Sequence, residues 1–116
     1  MGMFNRRDFI KDNTEGVISV VDFGDLLEYC HDDVKVKNNP EDIRDYKREI
    51  DESDMEVALF SVWPGHEFIT DVKQYFNKII LVLQYDELIS FSINDLNFDM
   101  AIVPFPDNLI FAIWNK

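Results

Sequence analysis

Alternating and helically spaced apolar positions succeed one another along the chain and predict strands and helices in turn. Gly16 to Val21 is rich in β-branched residues and reads as a strand. Phe23, Leu26, Leu27 and Cys30 then recur at i, i+3, i+4 and i+7, one face of a short helix that Asp22 is placed to cap. Gly24 inside that helix costs about 1 kcal/mol against alanine, and a single helix over 17–31 stays open as an alternative. Val34 to Lys37 reads as a short edge strand whose lysines discourage further pairing. Asn39-Pro40 is a strong helix start, because asparagine caps a free N–H and proline fits the first helical position. The helix over 40–52 has a narrow stripe of Ile43, Tyr46 and Ile50, and its Arg48/Glu52 and Lys47/Asp51 pairs stand four apart, within reach of each other.

Met55 to Trp63 is a mostly apolar run closed by Pro64-Gly65, which suits a central strand buried on both faces. Ile69, Val72 and Phe76 give helical spacing over 66–78. Periodicity alone lets that helix run on through Leu83, but the β-branched pair Ile79-Ile80 and the apolar residues after it favour a strand over 79–85. Ile89, Phe91 and Ile93 alternate with Ser90 and Ser92, the pattern of a strand with one wet face. Met100 to Val103 and Leu109 to Trp114 complete the set around a turn at 104–108. The expected fold is α+β: a mostly antiparallel sheet ending in a C-terminal meander, with two or three helices packed on one side. No repeat or Gly/Ser/Pro-rich linker divides residues 1–116, so one domain is expected.

Charge narrows the partners. Twenty-three acids against eleven bases give a net charge of −12, which repels nucleic acid and anionic membranes and attracts basic surfaces, or serves solubility alone. Residues 1–58 carry 16 acids and 8 bases, and 59–116 carry 7 and 3. Cys30, the single cysteine, has no disulfide partner within the chain, and the charged N-terminus offers neither a signal peptide nor a myristoylation motif. Apolar runs such as Ile79 to Leu83 are too short to span a bilayer. These features point to the cytoplasm.

Catalytic chemistry finds little support. His31 and His66 are the only neutral-pH bases, and HExxH, GxSxG, paired cysteines and a glycine-rich phosphate loop are all missing. Asp95, Asn97 and Asp99 open like a calcium loop, but Met100 and Pro106 stand where that loop needs glycine and glutamate. Cys30 lies on an apolar stripe, as a buried structural cysteine does. We therefore expect no enzyme activity, no metal and no cofactor.

No lysine or arginine occurs from Ile79 to Asn115, whereas Asp86, Glu87, Asp95, Asp99 and Asp107 do. In a meander the turns at Asp86-Glu87 and Phe105–Asp107 share one end of the sheet, and a parallel crossover from strand 55–63 to strand 79–85 brings Trp63, His66 and Glu67 to the same end. The expected partner-binding surface is thus Trp63, His66, Glu67, Asp86, Glu87, Phe105 and Asp107. Such a mixture suits a partner bringing lysine or arginine together with apolar anchors.

Compact size, the acidic stretch Asp51-Glu52-Ser53-Asp54, the aromatic-rich strand Leu109–Trp114 and the lack of a catalytic signature give the whole chain a general resemblance to a known group. It resembles the immunity proteins of bacterial contact-dependent growth inhibition and related polymorphic toxin systems. The resemblance rests on no motif and carries over no residue roles. It implies tight binding of a monomer to a cognate, basic toxin domain such as a nuclease. The alternative is an acidic cytosolic chaperone for a secreted bacterial effector, which would be a homodimer.

Overall fold

The computed structural model describes residues 5–17, 19–24, 26–30, 35–37, 56–104 and 107–116. Along these the chain forms helix α1 (Arg6–Asn13), β1 (Ser19–Asp22), a 3-10 turn (Leu27–Tyr29), β2 (Lys35–Lys37), β3 (Glu56–Phe60), α2 (His66–Val72), β4 (Lys78–Gln84), α3 (Glu87–Asp95), β5 (Asp99–Val103) and β6 (Leu109–Asn115). The strands make one sheet in the order β2-β1-β3-β4-β6-β5. β1 pairs in parallel with β2 and β3, and β3 with β4, through ladders of three or four residues. The antiparallel ladders β4–β6 and β5–β6 are the longest, at seven and five residues.

The fold is α+β, with its antiparallel pairing in the C-terminal third and two helices, α2 and α3, on one face. Residues on that face include Val21, Ala58, Phe60, Ile79, Leu81, Leu83, Ile110 and Ala112, which pack against Ile69, Val72 and Phe76 from the α2 segment and Ile93, Leu96 and Phe98 from the α3 segment. The opposite face buries Val20, Val57, Leu59, Ile80, Val82 and Phe111 against Ile10 of α1, Leu26 and Cys30. The two central strands are apolar on both faces because both are covered: Val57 to Phe60 and Ile79 to Leu83 are all buried. Each such Leu, Ile or Phe contributes roughly 1.5–3 kcal/mol of burial, so a charge at Leu81 would break the centre of the fold.

Four expectations change. The segment 89–93 is helix, not strand: Asp86 accepts a hydrogen bond from the Ile89 N–H at 3.1 Å as N-cap, and half-buried Ile89 with buried Ile93 and Leu96 forms the inward stripe at i, i+4 and i+7. The alternation of Ile89, Phe91 and Ile93 is broken in space, since Phe91 stands 65% exposed while Ile93 is buried. The meander therefore reduces to the β5–β6 hairpin, with β6 inserted between β4 and β5. The helix expected after Asp22 shortens to a single 3-10 turn, because the Asp22 carboxylate accepts from the Gly24 and Leu26 N–H groups at 2.9 and 3.4 Å and closes the chain locally. Helix α1 was not foreseen; Asn5 caps it by accepting from the Asp8 N–H at 3.0 Å, and Ile10 anchors it to the sheet. The expected helix over 40–52 lies outside the described residues.

Strands 34–37, 55–63, 79–85, 100–103 and 109–114 are present at slightly different bounds, as is the helix beginning at His66. That helix ends at Val72, and Phe76 reaches the core from the turn beyond it.

Candidate functional site

The parallel pairing of β3 with β4 puts the residues after Phe60 and those after Gln84 at the same end of the sheet. Gln84 stands opposite Leu109, and Val103 opposite Leu109 on the other side, so the β5–β6 turn reaches that end too. A backbone hydrogen bond from the Tyr85 N–H to the Asn108 carbonyl, 2.8 Å, ties the exit of β4 to this turn. The loop carrying Trp63 to Glu67, the pair Asp86-Glu87, and Asp107 thus share one end, as the crossover argument requires. Phe105 lies outside the described residues.

Individually these residues do different work. Trp63 is half-buried and packs against the core face shared by α2 and α3. His66, the first residue of α2, approaches the Asp95 carboxylate at 3.5 Å, a pair that sequence spacing did not suggest. Glu67, Glu87 and Asp107 are exposed. Asp86 is exposed as well, but its carboxylate caps α3, so part of its presence is structural.

Charge in this half is sorted along the strand direction. The Lys73 ammonium donates to the Leu96 carbonyl at the C-terminus of α3 and lies over the Phe98 and Trp114 rings at 5.5 and 5.1 Å. Lys78 donates to the Asn13 carbonyl, the last residue of α1, at 2.8 Å. Burial pushes the pKa of both ammonium groups down. Both cations thus serve helix C-termini, where the macrodipole favours positive charge. Lys78 and Trp114 mark the opposite end of the sheet from Asp86 and Asp107, as does Lys116, whose N–H bonds the Asn77 carbonyl. Negative charge is left at the end where the candidate residues gather.

That end and the adjoining face of α3 also expose large apolar side chains. Val62 is 71% exposed in the loop after β3, and Leu88 and Phe91, one turn apart on α3, are 77% and 65% exposed. Val62 and Leu88 carry no mark of exposure in the sequence pattern, and Phe91 falls in a segment whose alternation predicts a strand. Once Ile89, Ile93 and Leu96 are assigned to the core, Leu88 and Phe91 remain on the outer side of the helix. A shallow depression lined by Phe91, Ser92, Asn94 and Asp95 continues this surface.

The place where an open α/β sheet usually takes a small ligand is filled. β1 is flanked by β2 on one side and β3 on the other, so the strand order reverses between β1 and β3, and such crevices are the common ligand site. Here Phe23, directly after β1, stacks on Phe60 at 4.5 Å and 5° and meets Phe68 and Phe76 edge-on at 5.9 and 6.4 Å. Gly24 presses against Ser61: a Cβ there would lie 1.9 Å from Ser61 Oγ. Cys30, on the other face, has its thiol pKa pushed up to about 11, first by burial and then by the Asp22 charge, which keeps it protonated and a poor nucleophile at neutral pH. Among the described residues no three His, Cys, Asp or Glu side chains are grouped to hold a metal ion, and no helix is long and apolar enough to cross a membrane. The chain matches no known protein family, no curated protein and no solved structure.

Proposed function

We propose that this chain is an immunity protein: it binds a cognate, cationic toxin domain such as a nuclease and neutralises it. The observation that carries the reading is the exposure of Leu88 and Phe91 on α3, the helix that starts at the end of the sheet where the carboxylates Glu87 and Asp107 are also exposed. Apolar anchors supply the buried centre of an interface, and carboxylates around them steer and orient a basic partner. Two exposed large side chains on neighbouring helical positions are costly to leave in water without a use. The sorting of lysines to the far end supports the same reading, since it leaves the potential at this end negative.

The mode of action is occlusion. A net charge of −12 accelerates encounter with a positive active-site cleft, and the anchors then hold the complex. Two tests apply. Co-expression of the chain with candidate toxin domains from genes neighbouring its own should restore growth of cells that one such toxin alone arrests, and purified chain should block that toxin's activity at equimolar concentration. A chain that leaves the toxin active would overturn the proposal. A stable homodimer holding an extended polypeptide would favour the chaperone reading instead.

A further inference from the structure

The two edges of the sheet are built differently. β2, at one edge, is the three-residue strand Lys35–Lys37. β5, at the other, reads Asp99-Met100-Ala101-Ile102-Val103 and carries no lysine, proline or bulge within its span. Ala101 and Ile102 are exposed, and among the described residues β5 pairs with β6 alone. Four consecutive apolar residues on an edge strand make a ready template for pairing.

Beside this edge, on the α1 face, lies a groove of about 370 Å³ bounded by Phe9 and Asn13 of α1 and by Asp99, Ala101, Ile113 and Asn115 of the hairpin. Phe9, Ala101 and Ile113 line it with apolar surface. Asp99, Asn13 and Asn115 add polar groups, the Asn13 amide already donating to the Phe9 carbonyl at 2.7 Å. A long side chain with an apolar stem and a cationic head matches that lining. Lys78, two strands from β5, is engaged by the Asn13 carbonyl, and β5 and β6, which flank the groove, carry no lysine or arginine.

We propose that β5 is an acceptor edge. An extended segment of another polypeptide, bearing lysine or arginine in alternation with apolar residues, adds as a seventh strand along Asp99–Val103 and lays a cationic side chain in the groove with its charge at Asp99. Main-chain hydrogen bonds give the binding and the groove gives the choice of side chain. A second copy of this chain is the poorer occupant, because each copy carries a net charge of −12 and its own Lys35-Val36-Lys37 segment spans only three residues against the five of β5. The inference shares with the proposed function the expectation of a cationic partner, but it concerns a different surface and does not need the toxin for its test.

The test is an NMR titration of the isotope-labelled full chain with the hexapeptide Lys-Val-Lys-Val-Lys-Val, capped at both ends. Glu-Val-Glu-Val-Glu-Val serves as control. The lysine peptide should shift the amide signals of residues 99–103 and of Asn13 and Ile113, and should slow hydrogen exchange along 99–103. D99N should weaken its binding by about three- to tenfold, the loss of one charge-assisted contact, while Ile102→Lys weakens it without disturbing the fold. Equal binding of the glutamate peptide, shifts confined to residues 62–67 and 86–91, pairing of β5 between copies without peptide, or no binding at millimolar peptide would each overturn the proposal. A toxin that binds elsewhere would refute the proposed function and leave this result standing.

Discussion

Replacing Gly24 by alanine tests how tightly the reversal point between β1 and β3 is closed. The new Cβ would lie 1.9 Å from Ser61 Oγ, 2.7 Å from Ser61 Cβ and 2.8 Å from the Ser61 backbone nitrogen. Rotating the serine removes only the first of these contacts. The backbone contact remains, and the Gly24 loop has little freedom to retreat: the Phe23 N–H bonds the Leu59 carbonyl at 2.8 Å and the Gly24 N–H bonds Asp22 at 2.9 Å. Retreat would also pull Phe23 off its stack on Phe60. Overpacking of this kind costs about 1–3 kcal/mol, and with backbone involved we expect Gly24→Ala to lie near the upper end. Urea unfolding followed by circular dichroism should show a lower midpoint at unchanged slope. Gly24→Ala combined with Ser61→Ala should recover less than half of the loss, because the Cβ and nitrogen contacts persist. A single variant within about 0.5 kcal/mol of wild type, the ordinary range for surface changes, would refute the closed-crevice account.

Asp86→Ala should destabilise the protein by about 1 kcal/mol through loss of the α3 cap, and Asp86→Asn by much less, since asparagine caps equally well; unfolding midpoints of the two variants settle this. Because of that cap, Glu87→Lys with Asp107→Lys is the cleaner charge reversal, and it should weaken binding of the proposed toxin by about 2 kcal/mol or more at a cost in stability of no more than about 1 kcal/mol, from a lysine in the first turn of α3. The Cys30 thiol should react with a disulfide reagent only in denaturant. Its pKa of about 11 in the folded protein, against 9.0 for the free group, means that the folded state holds this proton more tightly. Its stabilising contribution is complete below pH 9.0 and declines as pH rises through about 11, so the stability difference between wild type and Cys30→Ala should shrink over that window. Taking the difference removes Lys73 and Lys78, whose lowered pKa values act in the opposite sense. A pH-independent difference would contradict the assignment.

The parts of the fold legible in sequence were those where one signal acted alone. Val57 to Phe60 is apolar at every position and the run is closed by Pro64-Gly65, so that central strand was readable, whereas at 79–83 periodicity left a helix open and the β-branched Ile79-Ile80 pair tipped the reading to strand. At 87–95 two periods competed: Ile89, Phe91 and Ile93 satisfied a strand over five residues, while the helical set Ile89, Ile93 and Leu96 needed eight to be seen, together with Asp86 as its cap. Helix α1 shows only Phe9-Ile10 as apolar among charges, and its burial depends on a sheet face formed by strands far along the chain. The parallel crossover from β3 to β4 followed from topology, because connections of parallel strands obey few rules, but the shared end of Asp86 and Asp107 was argued from a meander that does not form, and it arises instead because α3 returns the chain across the sheet in place of the expected strand. The anchors Leu88 and Phe91 were not legible, since an apolar residue declares itself exposed only after the helix phase is known.

The most direct measurement of the central claim is the affinity of a cationic toxin domain, chosen because co-expression of the chain relieves its growth arrest, for the wild-type chain and for the double variant Leu88→Asp, Phe91→Asp, by titration calorimetry at physiological salt. Both side chains are more than half exposed, so the variant should fold with an unfolding midpoint close to wild type. Loss of two apolar anchors at the centre of an interface should cost about 3 kcal/mol or more, at least a hundredfold in Kd. An affinity within about threefold of wild type, in a variant of unchanged stability, would contradict the claim that this end of the sheet and its helix form the binding surface.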